Sequence, residues 1–267
     1  MCRMVGLISP KPVKPVKYLV EAECSLLEQA VRGDQGDGWG IGWYLEDSPE
    51  VVKSEKPVYE EAEAFKETDE KASSQIIVAH VRKASNPLNL PRDKIIGLEN
   101  SQPFLHGDVV FAHNGVIRIP DEAAKFLGDY EEIVKGNNDS EVYFALLVKE
   151  WENRGKVSDA LRAVEEKLER ALKSSGKGHR HPYSSLNAVF SDGRKLYAYN
   201  KYFELEPKSV CYKDSPYYQM TYLIDGDKLV IASEKLWKSN EWMGMENGDL
   251  LTAWIENEKV KYNVEKI

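Results

Sequence analysis

Apolar residues open the chain almost at once: Val5, Leu7 and Ile8 read as a buried strand at a terminus that most domains leave loosely held. Over 18–31, Leu19, Ala22, Leu26, Leu27 and Ala30 recur near helical spacing and Gly33 supplies a stop, so the pattern predicts one amphipathic helix. Gly33, Gly36, Gly38, Gly40 and Gly42 then lead into WGIGWYL, a tight loop entering a strand that backbone or ligand approaches closely. QIIVAHVR (75–82) and DVVFAHNG (108–115) are nearly continuous apolar runs, the mark of strands covered on both faces. Helical period returns over 140–151 and 157–172, with Asp139 placed as N-cap of the first. Beyond these the period falls to two. LNAVF and KLYAYN flank an Asp-Gly turn, TYLI and KLVIASE flank another, and NGDLLTAWIENEKVKYNV predicts two closing strands.

Strands at both ends with helices between them predict an α+β fold, a four-layer αββα sandwich of two mainly antiparallel sheets flanked by helices. With 267 residues, 42% hydrophobic content and neither repeat nor linker, one domain over 1–267 is expected. A formal charge of -8 argues against nucleic acid, since neutralising phosphates needs a basic excess. The nearest basic run, KPVKPVK at 11–17, is expected to be a surface loop because of its prolines. No apolar stretch approaches the ~20 residues of a membrane span and no signal-peptide layout is present, so a cytoplasmic protein without membrane attachment is expected. Cys2, Cys24 and Cys211 form an odd set without short spacing, which suggests reduced thiols and neither a disulfide framework nor a zinc site. His179 and His181 fall in a polar loop, and His80, His106 and His113 are scattered as hydrogen-bonded core or rim residues usually are.

Candidate chemistry starts at Cys2. If Met1 is removed, the cysteine gains a free α-amine with a reference pKa of about 7.7–8.0 that can act as base for its own thiol. The bland alternative is a small residue packed in a strand. His113, Asn114 and Gly115, just past an apolar run, offer a side-chain and a backbone N–H of the kind that stabilises an oxyanion, or else an ordinary turn. Arg82 suits a carboxylate and Asp139 an ammonium group, as an amino-acid substrate requires; alternatively they are a surface ion pair and a helix cap.

In this order MCRMVGLIS, DGWGIGWY, AHVRKAS, NSQPF, FAHNGVI and NDSEVYFALL resemble the class II glutamine amidotransferase domain of the N-terminal-nucleophile hydrolases, with IASEKL a weaker match in the second half. The resemblance implies the glutaminase domain standing alone. By it, Cys2 is the nucleophile, Asn114 and Gly115 form the oxyanion hole, Arg82 binds the α-carboxylate with Ser85 nearby, and Asp139 binds the α-ammonium. No metal or other cofactor is implied. The implied partners are glutamine or a γ-glutamyl compound and a separate synthase subunit receiving ammonia. Lys83 and the NSQPF stretch depart from the sugar-aminating members, which leaves the acyl chemistry in place and opens the substrate. Two further readings stay open: a hydrolase of a γ-glutamyl amide from a small metabolite, and a non-catalytic protein that keeps the fold for binding or scaffolding.

Overall fold

Both kinds of apolar run become strands in the computed structural model, which describes residues 2–204 and 207–267. In chain order they are β1 (Arg3–Val13), β2 (Trp39–Leu45), β3 (Ser48–Ser54), β4 (Ser74–Val81), β5 (Phe104–His106), β6 (Val109–Asn114), β7 (Asn187–Ser191), β8 (Lys195–Asn200), β9 (Thr221–Asp225), β10 (Lys228–Ala232), β11 (Met243–Gly244), β12 (Asp249–Glu256) and β13 (Lys259–Lys266). The helices are α1 (Leu26–Gly33), α2 (Ala62–Lys71), α3 (Arg92–Ile95), α4 (Pro120–Ala124), α5 (Asp139–Arg154) and α6 (Val157–Ser175). A seven-stranded sheet runs β11-β9-β10-β1-β4-β2-β3 and a six-stranded sheet β13-β12-β8-β7-β6-β5. Neighbouring strands pair antiparallel throughout both.

Three apolar seams glue four layers, as the sequence pattern predicts. Met4, Ile8, Ile76 and Val78 meet Val110, Ala112, Val189 and Leu196 between the sheets. The alternate residues Val5, Leu7, Ile77 and Ala79 face Leu26, Ala30 and Phe65 of α1 and α2. On the far side Phe111 and Phe190 pack on Phe144 and Leu147 of α5 and Leu161 and Leu168 of α6. Two-sided burial is therefore why β1, β4 and β6 lack a polar alternation. The glycines of β2 behave as expected, with the chain itself as the close neighbour. A Cβ on Gly40 would lie 2.4 Å from the carbonyl oxygen of Gln102, and one on Gly42 would lie 2.6 Å from Val110.

Several local expectations are corrected. The helix predicted over 18–31 is two pieces, a turn over Lys17–Glu21 and then α1, because Ser25 caps α1 by accepting from the Glu28 N–H and Cys24 N–H turns aside to Leu236 O. Residues 11–13 continue β1 to Val13 instead of looping, and the register shift between Ile8 and Val13 is where Pro10 and Pro12 are tolerated. The cap of α5 is Asn138, whose side chain accepts from Ser140 N–H, so Asp139 is the first helical residue. Cys24 and Cys211 are not reduced thiols. They form a disulfide across 187 residues, with Cα atoms 6.2 Å apart, a pairing that only the tertiary fold creates and no spacing rule can show. His179 is exposed as expected, and His181 stacks on Phe203 with ring centres 3.7 Å apart. Among the described residues no helix is long and apolar enough to cross a membrane.

Helix α2 was not legible because AEAFKETDEK carries one large apolar residue, Phe65. It also buries Asp69 with neither carboxylate oxygen hydrogen-bonded among the described residues. Burial, with Glu70 and Glu21 adding to it and Lys14 opposing, pushes this carboxyl up to about 7. A folded-state pKa above the unfolded one favours folding while the group is protonated, and that contribution disappears as pH rises from about 4 through 7. Asp69→Asn should flatten this dependence. Urea melts at pH 5 and pH 8 should show the parent losing roughly 2–4 kcal/mol more than the variant over the interval.

Candidate active site

The antiparallel register of β1 and β4 pairs Arg3 with Val81, which sets Cys2 beside the residues that leave β4, Arg82 and Lys83. Cys2 is a free cysteine, 8% exposed. Its Sγ lies 3.4 Å from the Lys83 N–H, which donates to it, and 3.5 Å from Lys83 O, which can accept the thiol proton. Burial pushes this thiol up, while the Lys83 N–H and the Arg82 charge pull it down. Met1 lies outside the described residues.

Arg82 is buried and aimed by two carbonyls: Nη1 donates to Asp37 O at 3.2 Å and Nη2 to Ile95 O at 2.8 Å. Asp37 fixes the adjoining loop, accepting from Ala84 N–H at 2.8 Å and from Arg92 Nη2 at 2.6 Å. Burial lowers the Arg82 pKa, and the negative charges of Asp37 and Asp139 work against the fall. Asp139 is equally enclosed. Its Oδ1 accepts from Ser85 Oγ at 2.6 Å and its Oδ2 from Ile117 N–H at 2.7 Å. Burial raises its pKa, and those two hydrogen bonds and Arg82 work against the rise.

At the end of β6, Asn114 is buried and pairs across the sheet with Asn187, and its Oδ1 has no hydrogen-bond partner among the described residues. Gly115 is required by space, since a Cβ there would sit 2.1 Å from Ser185 O and 2.6 Å from His113 Nε2. His113 rivets the corner. Ser185 O can only accept, so Nε2 carries the proton toward it at 3.0 Å, and Nδ1 accepts from Ser140 Oγ at 2.8 Å. Burial lowers this histidine to about 4, which keeps it neutral. The NSQPF stretch clamps the same corner: Gln102 Oε1 accepts from His113 N–H at 2.6 Å, and Asn100 O accepts from Asn138 Nδ2 at 2.8 Å.

The structure thus gathers Cys2, Arg82, Ser85 and Asp139 by contact or electrostatic influence. Asn114 and Gly115 join them through two bridges to the start of α5, Ile117 with Asp139 and His113 with Ser140. The site is enclosed, while cavities of about 470 and 770 Å³ lie elsewhere, around Trp151 and Trp254 and around Lys53 and Glu141. Sequence reasoning missed the Lys83 main chain that cradles the thiol, and it gave no role to Arg3, Tyr217 or Glu234. Only Glu234, inside IASEKL, stood in a motif of the second half. Cys24, Cys211 and Glu234 bring donor atoms within 4.8 Å of one another, as a metal site would. Those donors are already committed, the sulfurs to each other and the carboxylate to Arg3.

Comparison with known proteins bears on the family and on the fold. The family described as glutamine amidotransferases class-II matches residues 1–261. An uncharacterized protein from Methanocaldococcus jannaschii is 28% identical over 274 residues, which cover 94% of this chain and 68% of that protein. A glutamine aminotransferase class-II domain protein from Silicibacter pomeroyi shares the fold with a TM-score of 0.64 at 18% identity, over 98% of both chains. The glutamine phosphoribosylpyrophosphate amidotransferase from B. subtilis, complexed with ADP and GMP, has a TM-score of 0.62 at 16% identity over 98% of this chain and 49% of its own. At such identities the solved structures speak for the α+β sandwich, and the family match speaks for descent. Running from residue 1 into the last strand, that match places this chain among the class-II glutamine amidotransferases.

Proposed function

We propose that the protein, once Met1 is removed, hydrolyses the side-chain amide of glutamine through a γ-glutamyl thioester on Cys2 and releases ammonia to a separate acceptor. The observation that carries this reading is the enclosure of the Cys2 thiol against Lys83, within electrostatic reach of both Arg82 and Asp139. A zwitterionic α-carbon substituent needs that pair of opposite charges beside a nucleophile. The α-amine of Cys2 takes the thiol proton as sulfur attacks the amide carbon. Negative charge gathers on the carbonyl oxygen, where the Asn114 amide and the Gly115 N–H would donate. The C–N bond then breaks, the amine returns the proton to the leaving nitrogen, and water cleaves the thioester to free glutamate and the thiol. Arg82 would grip the α-carboxylate, and Asp139, steadied by Ser85, the α-ammonium.

The same acyl chemistry serves a γ-glutamyl amide whose nitrogen carries a substituent. Lys83 favours keeping that second substrate class in view, because its side chain reaches outward to Asp34 at 3.1 Å and contributes only main chain to the thiol. Ammonia release from glutamine, set beside amine release from a panel of γ-glutamyl amides, decides between them; failure on every member overturns the hydrolase reading. Arg82→Lys should raise KM roughly 50-fold and change kcat little, since an ammonium cannot reproduce the bidentate grip. Asp139 must be ionised to hold an ammonium group. As burial raises its pKa, KM should climb on acidification at a pH above the ordinary carboxylate range, and Asp139→Asn should lose this dependence.

A further inference from the structure

Cys2 is gripped from a second direction, by the segment that follows β8. Tyr217 Oη donates to Cys2 O at 3.3 Å. Arg3, fully buried, returns the contact: its Nη1 donates to Tyr217 O at 2.9 Å and its guanidinium carbon stands 3.4 Å from the centre of the Tyr217 ring. The other arm of Arg3 lies 3.2 Å from Glu234, and both charges are closed off from water. Glu234 in turn accepts from Val210 N–H and Cys211 N–H, each at 2.8 Å. Cys211 is bonded to Cys24, whose N–H donates to Leu236 O, two residues past Glu234. The path therefore closes on itself, from β1 to the turn after β10, to residues 210–217, and back.

Every link in this circuit is a hydrogen bond, a stacked cation or a buried ion pair, except one. Only the disulfide ties residues 210–217 covalently to the segment between β1 and α1. A buried ion pair holds geometry while both partners stay in register, and it becomes costly once one of them is displaced. Tyr217 acts on Cys2 through its carbonyl, and Arg3 and Glu234 act through Tyr217 and the neighbouring main chain, so each is a positioning residue. We infer that this circuit holds Cys2 in its attacking pose and that the Cys24–Cys211 disulfide locks it, so that turnover answers to the oxidation state of two cysteines outside the chemistry. The inference rests on the reading of Cys2 as nucleophile. Unlocking takes two electrons and two protons from an external dithiol: the sulfur–sulfur bond breaks, each cysteine becomes a thiol, and the dithiol closes to a cyclic disulfide.

The test measures the setting of Cys2 without a substrate. Full-length protein lacking Met1 is treated with iodoacetamide across pH 6–10, and modification of the N-terminal peptide is timed by mass spectrometry. Four samples are compared: the oxidised parent, the parent reduced with dithiothreitol and desalted, Tyr217→Phe, and Cys24→Ser with Cys211→Ser. Tyr217→Phe removes one hydroxyl and keeps the ring over Arg3, so it remains informative if the double variant fails to fold. Burial holds the Cys2 thiol up in the intact circuit, and loosening should let water reach it. The expected result is a lower midpoint and about five-fold faster alkylation near pH 7.5 in the last three samples, well below their melting temperatures. Carboxamide turnover in those samples should fall about ten-fold in kcat with KM within two-fold. A profile identical in all four samples overturns the inference, as does a count of three free cysteines in protein acid-trapped from its own host. A shifted profile in a protein that turns over no carboxamide would sink the proposed function and leave the circuit standing.

Discussion

Cys2→Ala, processed at Met1 like the parent, should still bind glutamine and release ammonia roughly 10⁴-fold more slowly or worse, because the only group able to form the thioester is gone. The fold should hardly notice. Beyond its main chain Cys2 contributes weak thiol contacts to the Lys83 main chain, while β1 keeps its place through ladders to β4 and β10 that start at Arg3 and Val5. Urea melts should agree within about 1 kcal/mol, since the lost contacts are weak and the remaining side chain is a small apolar one. Ammonia assays and trapping with hydroxylamine, which turns a thioester into a hydroxamate, give the readout. A second arm tests the base. Protein with an intact Cys2 but with Met1 retained carries an amide nitrogen at Cys2, and an amide has no lone pair basic enough to take the thiol proton. It should be slow as well. Full activity in either sample removes the assigned nucleophile or its base.

How much of this was legible in the sequence follows from the range of the signal. Strands β1, β4 and β6 and helices α5 and α6 were readable because burial on both faces, or on one helical stripe, leaves its period in the chain itself. The order of strands was not readable, since nothing local says that β1 lies between β10 and β4. The residues near Cys2 divide in the same way. Arg82, Asn114, Gly115 and Asp139 stand at element ends, where polar residues after apolar runs draw notice. His113 looked like one scattered histidine, and its double hydrogen bond to Ser140 and Ser185 needs three separate segments to meet. Arg3 is a cation inside an apolar strand, an anomaly that only a buried partner explains. That partner, Glu234, lies 231 residues on, and the disulfide beside it spans a separation of similar size. Charge and redox pairing at that distance leave no local trace, whereas periodicity does.

Gly115→Ala and Asn114→Ala should fail in different ways, and the difference tests the oxyanion assignment. At Gly115 the added methyl would meet Ser185 O at 2.1 Å and His113 Nε2 at 2.6 Å, the two atoms that hydrogen-bond each other across this corner. A main-chain carbonyl cannot step aside as a flexible side chain can. The segment around Ser185 must move, the histidine loses its acceptor, and the end of β6 is released from both Ser140 and residue 185. A cost of about 3 kcal/mol or more is expected, together with loss of turnover, because the Gly115 N–H would no longer point where charge develops. Asn114→Ala adds no bulk and breaks no hydrogen bond of its Oδ1 among the described residues. Its stability should stay within about 1 kcal/mol of the parent, while kcat drops on the order of 10²-fold at nearly constant KM, the signature of a donor used only in the transition state. If Asn114→Ala instead raises KM in proportion to any loss of rate, the side chain binds the ground state, and the donor pair must be sought elsewhere on the rim of the site.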